Sequence, residues 1–201
     1  LADAWCQYFA DEKNNAMTDH LLAELTLEEV KEEEGDRSLD GMVFVITGSV
    51  EHFANRKELQ TLIESKGGKA TGSVTSKTTY LINNDVNSTS SKNKKARELG
   101  IPILSEEDFL KLLNFVVLVE KDDFWRSEIV QIVVAKGPDG APEIELVPRT
   151  GSHTVIFGSP DDAEEKLAKL LTFYRRGLRN IGWEEYRTIN VKYKEQVVCT
   201  K

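Results

Sequence analysis

Cysteine, histidine and long apolar runs are all scarce in this chain of 201 residues. The two cysteines, Cys6 and Cys199, stand near opposite ends with no CxxC spacing, which reads as two separate reduced thiols rather than a disulfide framework or a thiolate metal site. The three histidines, His20, His52 and His153, are scattered, so no metal is expected. No stretch approaches the roughly 20 apolar residues that a membrane helix needs, and no secretory pattern is read at the start, so a cytoplasmic chain is expected. No Ser-His-Asp set and no paired-acid constellation stands out, and catalysis is not expected.

Charge is plentiful and unevenly spread. Up to Leu113 there are 13 Lys+Arg against 20 Asp+Glu (net −7), and after it 13 against 14 (net −1), which sums to −8. This acidity argues against non-specific nucleic-acid binding by the chain as a whole, so any DNA contact has to come from a local basic patch.

At the start, Trp5 and Phe9, then Met17, Leu21, Leu22 and Leu25, fall at helical spacing, predicting two short helices interrupted over Asp11–Asn15. The acids from Glu28 to Asp36 read as a solvated linker. Met42–Ile46 is a nearly continuous apolar run, the signature of a strand buried on both faces, and it ends in Thr47-Gly48. Asn55 and Glu58 predict a capped helix with Leu59, Leu62 and Ile63 on its buried stripe, stopped by Gly67-Gly68. Short strands follow over Lys69–Val74 and Thr79–Ile82, then a polar loop, a basic helix over Ser91–Leu99, a strand over Ile101–Leu104, and a last helix capped by Ser105.

This β-α-β-β-α-β-α order, with "FVITG", "SKGGK", "TTYLI", "SKNKKARELGIPIL" and "EEDFLKLL", resembles a BRCT domain, specifically the one that ends bacterial NAD-dependent DNA ligases. "AWCQYFADEKNNAMTDHL" resembles the closing helices of the helix-hairpin-helix domain before it. The organisation implied is a helical tail over 1–30, an acidic linker over 31–38 and a BRCT domain over 39–113, built on a parallel four-stranded sheet flanked by helices. Phe109 stands where many BRCT domains place Trp, keeping an aromatic anchor.

After Leu113 the pattern becomes strand-rich. It predicts a hairpin from Ile129–Val134 and Ile144–Val147 with a Gly137–Gly140 turn, then a strand over Thr154–Phe157. A helix capped by Ser159 follows, and two paired strands close the chain. "DDFWRSEIVQIVV", "EIELVPRTGSHTVIFG", "KLAKLLTFYRRGL" and "INVKYKEQVVCTK" resemble the C-terminal β-domain of FtsQ/DivIB cell-division proteins, making 114–201 an α+β, strand-rich second segment. That family normally carries a cytoplasmic tail, a membrane helix and a POTRA domain ahead of this piece.

Ligases carry their adenylate on the lysine of a Lys-x-Asp-Gly motif. Lys136-Gly137-Pro138-Asp139-Gly140 has an extra residue and reads as a hairpin tip, so the expectation is a non-enzymatic chain with no cofactor of its own. NAD belongs to the adenylation domain of the ligases it resembles. Thr47 and Gly48 end a strand where a hydroxyl and a backbone N–H can face an anion, and Lys92 opens the basic helix. The BRCT resemblance implies phosphate binding at these three residues, from DNA or a phosphopeptide. Lys92, Lys94 and Lys95, with Arg97, are clustered enough to neutralise about two to four DNA phosphates. In the second half, the FtsQ/DivIB resemblance implies that a last strand with an exposed edge pairs with the divisome partners FtsB and FtsL, with Tyr186, Tyr193 and Val197 as the matching residues near Trp183. The resemblances place the halves in different compartments, the cytoplasm and the cell envelope outside the inner membrane. The change near Leu113–Asn114 therefore reads as the junction of two partial chains, either a chimera or a genuine two-domain fusion.

Overall fold

A computed structural model describes residues 8–24, 37–137 and 141–201. The helical tail before Tyr8, most of the acidic linker and the hairpin tip at Pro138–Gly140 lie outside these residues. The chain divides into two units, Leu1–Glu34 and Gly35–Lys201.

In the first unit, helix α1 spans Glu12–Glu24. The break predicted over Asp11–Asn15 narrows to Ala10–Asp11. Asp11 Oδ1 accepts the Lys13 N–H at 2.9 Å, while the Asn14 and Asn15 side-chain amides donate to the Tyr8 and Phe9 carbonyls at 3.0 and 2.7 Å. The break between the helical residues Tyr8–Phe9 and α1 is thus shorter than expected, and the polar run satisfies helix-end groups around it.

In the second unit, strand β1 (Val43–Ile46) buries Phe44 and Val45 toward opposite faces, as a continuous apolar run requires. Helix α2 (Arg56–Ser65) begins where Asn55 Oδ1 accepts from Lys57 and Glu58, and Glu58 reaches back to the Ala54 N–H at 2.8 Å. It turns back over Gly67-Gly68, where a Cβ on Gly68 would come within 2.7 Å of Ile63. Strands β2 (Lys69–Thr71) and β3 (Tyr80–Ile82), helix α3 (Ser91–Glu98) and strand β4 (Ile103–Leu104) follow. The strands form a parallel sheet in the order β2-β1-β3-β4. On one face Val45, Val74, Leu81 and Ile101 enclose Ala96 of α3. The other face packs Phe44 and Ile82 against Leu59 and Ile63 of α2.

Phe109 completes that second face, its ring edge-on to Phe44 at 5.5 Å. It belongs to helix α4 (Glu106–Lys121), which does not stop at Leu113 but runs unbroken through Asn114. The apolar stripe continues as Phe115 and Val119, both buried, so the helix has no reason to end. Helix α5 (Asp123–Glu128), capped by Asp122, leads into β5 (Ile129–Lys136).

Strands β6 (Pro142–Pro148) and β7 (Thr154–Gly158) complete a meander, and β6 alternates buried Ile144 and Leu146 with exposed Glu145. Helix α6 (Ala163–Phe173), a π turn (Tyr174–Leu178) and the short α7 (Arg179–Ile181) cross back to β8 (Thr188–Asn190), which pairs in parallel with β7. Strand β9 (Val198–Thr200) then closes an order β5-β6-β7-β8-β9. Ser159 does not cap α6. Its carbonyl and hydroxyl take up the buried Lys166 ammonium at 2.9 and 3.4 Å, and the helix starts after Asp162, held at φ 54. The fold class is the one expected, a BRCT-like four-stranded parallel sheet flanked by helices and then a strand-rich α+β segment. Helix α4 and its Phe115, which meets Phe157 of β7 at 4.8 Å between ring centres, belong to one core with both sheets.

Candidate functional site

Three loops meet beyond the carboxyl end of β1. The Thr47 N–H donates to the Ile82 carbonyl at 3.0 Å, which keeps the backbone in register just past the strand. Gly48 follows with φ +78, and a Cβ there would lie 2.4 Å from Asn83 Oδ1, so this position demands glycine on both counts. Asn83 is buried after β3. Its Nδ2 donates to Asn93 Oδ1 at 2.9 Å, and its Oδ1 accepts the Asp85 N–H at 3.2 Å.

Asn93 lies in the first turn of α3 and is fully buried. Its Oδ1 accepts from Asn83 and from Ser90 Oγ at 3.1 Å, while its Nδ2 donates to the carbonyls of Asp85 and Val86 at 3.2 and 3.4 Å. Ser90 caps the helix by accepting the Asn93 N–H. This chain of contacts sets Thr47 and Gly48 at the same end of the sheet as Lys92, the neighbour of Asn93. Lys92 is half-buried, and Lys94 and Lys95 are exposed. Among the described residues none of these three lysines has a carboxylate partner within ion-pair distance. Arg97 is used differently, its guanidinium donating to the Val86 carbonyl at 2.8 Å.

A second buried group holds the next stretch of the β1 loop. Glu106, 1% exposed at the start of α4, accepts the N–H groups of Glu51 and His52 at 2.7 and 3.0 Å and the Asn84 amide at 3.1 Å. Asn84 Oδ1 in turn accepts the Glu106 N–H at 2.8 Å. Burial alone would raise the Glu106 carboxyl, but these donors outweigh it and hold it below the usual carboxylate range.

Sequence reasoning missed Asn83, Asn84, Asn93 and Glu106. Its available signal was an asparagine three residues after a capping serine, on the same helix side as Ala96, since i and i+3 share a face. The charged run around Asn93 hid it.

The three residues assigned to a partner do not lie on β9. Tyr186 is half-buried, its ring 6.3 Å from Phe173. Tyr193 is 53% exposed and its carbonyl accepts from Lys169 at 2.5 Å. Val197 precedes β9 and is half-buried against the core. Trp183 packs edge-on to Tyr174 at 5.1 Å. Tyr174 meets the buried His153, with 2.9 Å between Nε2 and the hydroxyl. Burial pushes the His153 ring below its ordinary value, against the Trp183 carbonyl and the charges of Glu128 and Glu184. That carbonyl faces Nδ1 outside hydrogen-bond geometry, so Nδ1 is left without a partner. Burial, and then Glu128, push the Tyr174 hydroxyl up.

A cleft of about 350 Å³ lies between the parallel sheet, α4 and β5, lined mainly by apolar side chains such as Phe44, Phe109, Leu113, Ile132 and Val134, with Ser38, Tyr80, Glu120 and Gln131 among its polar ones. Among the described residues no group of three His, Cys, Asp or Glu is placed to hold a metal ion, and no helix is long and apolar enough to cross a membrane.

The architecture defines a two-sheet α/β protein whose buried polar groups hold loops at one end of the parallel sheet. The chain belongs to the family described as FtsQ/DivIB, C-terminal related, which matches residues 72–200. It is also similar to bacterial DNA ligases. It is 56% identical over 114 residues to that of Lachnoclostridium phytofermentans, covering 57% of this chain and 18% of the ligase. The ligase of Ruminiclostridium cellulolyticum is 54% identical over 114 residues, with 57% and 17% covered. The ligase of Bacteroides fragilis is 39% identical over 117 residues, with the same coverage. The chain thus spans less than a fifth of the curated relatives it matches. Among solved structures, the first BRCT domain of the DNA-repair protein XRCC1 aligns at 27% identity with a TM-score of 0.34, covering 41% of this chain and 60% of that one.

Proposed function

We propose that the parallel-sheet half is a non-catalytic binding module of the DNA-ligase type, which holds DNA weakly by its backbone through Thr47, Gly48, Lys92, Lys94 and Lys95. The observation that carries this reading is the meeting of the β1 end with the first turn of α3, beside three lysines that have no carboxylate partner among the described residues. The similarity to DNA ligases supports it. Such contacts position DNA without reading its sequence and weaken steeply with salt. A phosphopeptide offers the same anion to Thr47, Gly48 and Lys92. In this reading the chain performs no reaction, carries no cofactor and works where DNA is, in the cytoplasm.

The test is a shift assay on nicked duplex DNA with Lys92→Ala plus Lys95→Ala. The expected result is several-fold weaker binding and a salt slope smaller by about 1 to 2, following the phosphates no longer neutralised. Unchanged affinity and slope sink the assignment.

A second reading is favoured by β9 being the terminal strand of its sheet, with Val198 42% exposed, together with the family match. Its outer edge offers unpaired N–H and C=O groups to an added strand, such as one from FtsB or FtsL, flanked by Tyr193 and Val197. That activity belongs to the cell envelope.

A further inference from the structure

We infer that Asn93, with Asn83, is a positioning residue that sets Lys92 against the Thr47-Gly48 turn, so that binding strength at the sheet end depends on two buried amides that touch no ligand. This rests on the DNA-binding reading above and adds to it the device that holds the site together.

Helix α3 shows why such a device is needed. Its eight residues, SKNKKARE, include one apolar side chain, Ala96, so packing alone fixes the helix poorly against the sheet. Asn93 supplies the rest. Every hydrogen-bonding site of its side chain is used: two donors converge on Oδ1, and Nδ2 serves two carbonyls of the loop between β3 and α3. A buried amide satisfied in this way has one orientation, because turning it by half a turn puts donors against donors. Asn83 is the other half of the lock. It is fixed by its place after β3, where its N–H donates to the Leu104 carbonyl at 2.9 Å, and its Oδ1 rests where a side chain on Gly48 would sit. The path from Gly48 to Lys92 therefore runs through one tight contact, one hydrogen bond and one peptide link. Neither amide is exposed to a ligand, since Asn83 and Asn93 are 4% and 0% exposed.

The experiment measures binding of nicked duplex DNA to the full chain by fluorescence anisotropy, for wild type, Lys92→Ala, Asn93→Leu and the double variant. Asn93→Leu keeps the branched shape and the number of heavy atoms and removes the hydrogen bonds. The expected result is affinity reduced about tenfold by Asn93→Leu, and a double variant no weaker than Lys92→Ala alone, since a residue that acts through Lys92 has nothing to position once Lys92 is gone. A purely structural Asn93 gives a loss that adds to that of Lys92→Ala, or no loss. A thermal melt shows whether Asn93→Leu is folded at the assay temperature. If it is not, Asn83→Ala decides, because it removes one donor and leaves three of the four bonds to Asn93; about a threefold loss, again non-additive with Lys92→Ala, is expected. Wild-type affinity in either folded variant while Lys92→Ala weakens binding overturns the positioning role and leaves the site standing. If Lys92→Ala itself changes neither affinity nor salt slope, the DNA-binding reading fails and the positioning role falls with it.

Discussion

The two ends of helix α4 are held by different chemistry. At its amino end, Glu106 is gripped by backbone N–H groups of the β1 loop and by Asn84, an arrangement that is directional and charge-assisted. At its carboxyl end, Phe115 and Val119 are buried among residues that include Phe157, with no polar partner, so the hold is strong but tolerant of small shifts. The first sheet thus uses the first turn of the helix to fix a loop and Phe109 to fill its core, while the second uses the helix for core filling alone. One helix does both because its apolar stripe and its first-turn acid lie on it without conflict, and the change of sequence pattern at Leu113–Asn114 passes through its middle without a break.

Removing the apolar end has the largest expected effect. Phe115→Ala leaves a cavity at a side chain 1% exposed and is expected to cost about 3 to 5 kcal/mol in urea unfolding. If the helix ties both sheets into one folding unit, amide protection falls in β1 and β3 as well as in β6 and β7. Loss confined to the second sheet breaks the comparison. Glu106→Gln comes next, at about 1 to 3 kcal/mol, because an amide N–H₂ then faces N–H donors. This variant also sharpens the contrast in pH. Glu106 titrates below its ordinary 4.5, so its contribution is complete above about pH 4.5 and is lost as the pH falls toward the folded value; Glu106→Gln flattens stability over that window. His153 gives the smallest effect and a different window. Its ring binds protons less readily folded than unfolded, so its share of stability is present above about pH 6.5 and declines below it. His153→Gln is expected to remove that decline in urea melts between pH 7.5 and 5.5 and to leave the lower window intact. An unaltered profile shows that another group titrates there.

Much of this architecture is legible in the sequence, and the parts that are not have definite causes. Phe44 and Val45 read as a doubly buried strand because apolar residues run without alternation, Asn55 reads as a cap because Glu58 completes the pattern, and Ser105 reads as a cap because an apolar helical stripe follows it. Asn93 is illegible for the opposite reason: among Lys92, Lys94, Lys95 and Arg97, a polar residue looks solvated, and only the fold shows that it faces the sheet. Glu106 reads as an ordinary first-turn acid, since its partners Glu51 and His52 lie more than fifty residues earlier. Ser159 misleads because its oxygens are claimed by Lys166, a residue whose burial no local pattern announces. Lys92, Lys94 and Lys95 were legible as a cluster, and the BRCT resemblance grouped Lys92 with Thr47 and Gly48, but the amides between them were not legible.

The two sheets also differ in how far apart in the chain their strands begin. Strands β5, β6 and β7 follow one another as antiparallel neighbours, so each pairing closes a short loop. Every pairing in the parallel sheet, and β8 on β7, waits for a longer stretch of chain to cross over. Since closing a longer loop costs more entropy before any contact repays it, the β5–β6–β7 meander is expected to gain amide protection first in pulse-labelled refolding. On that expectation helix α4, which precedes the meander, docks first on the later of its two cores, and folding runs against the order of synthesis.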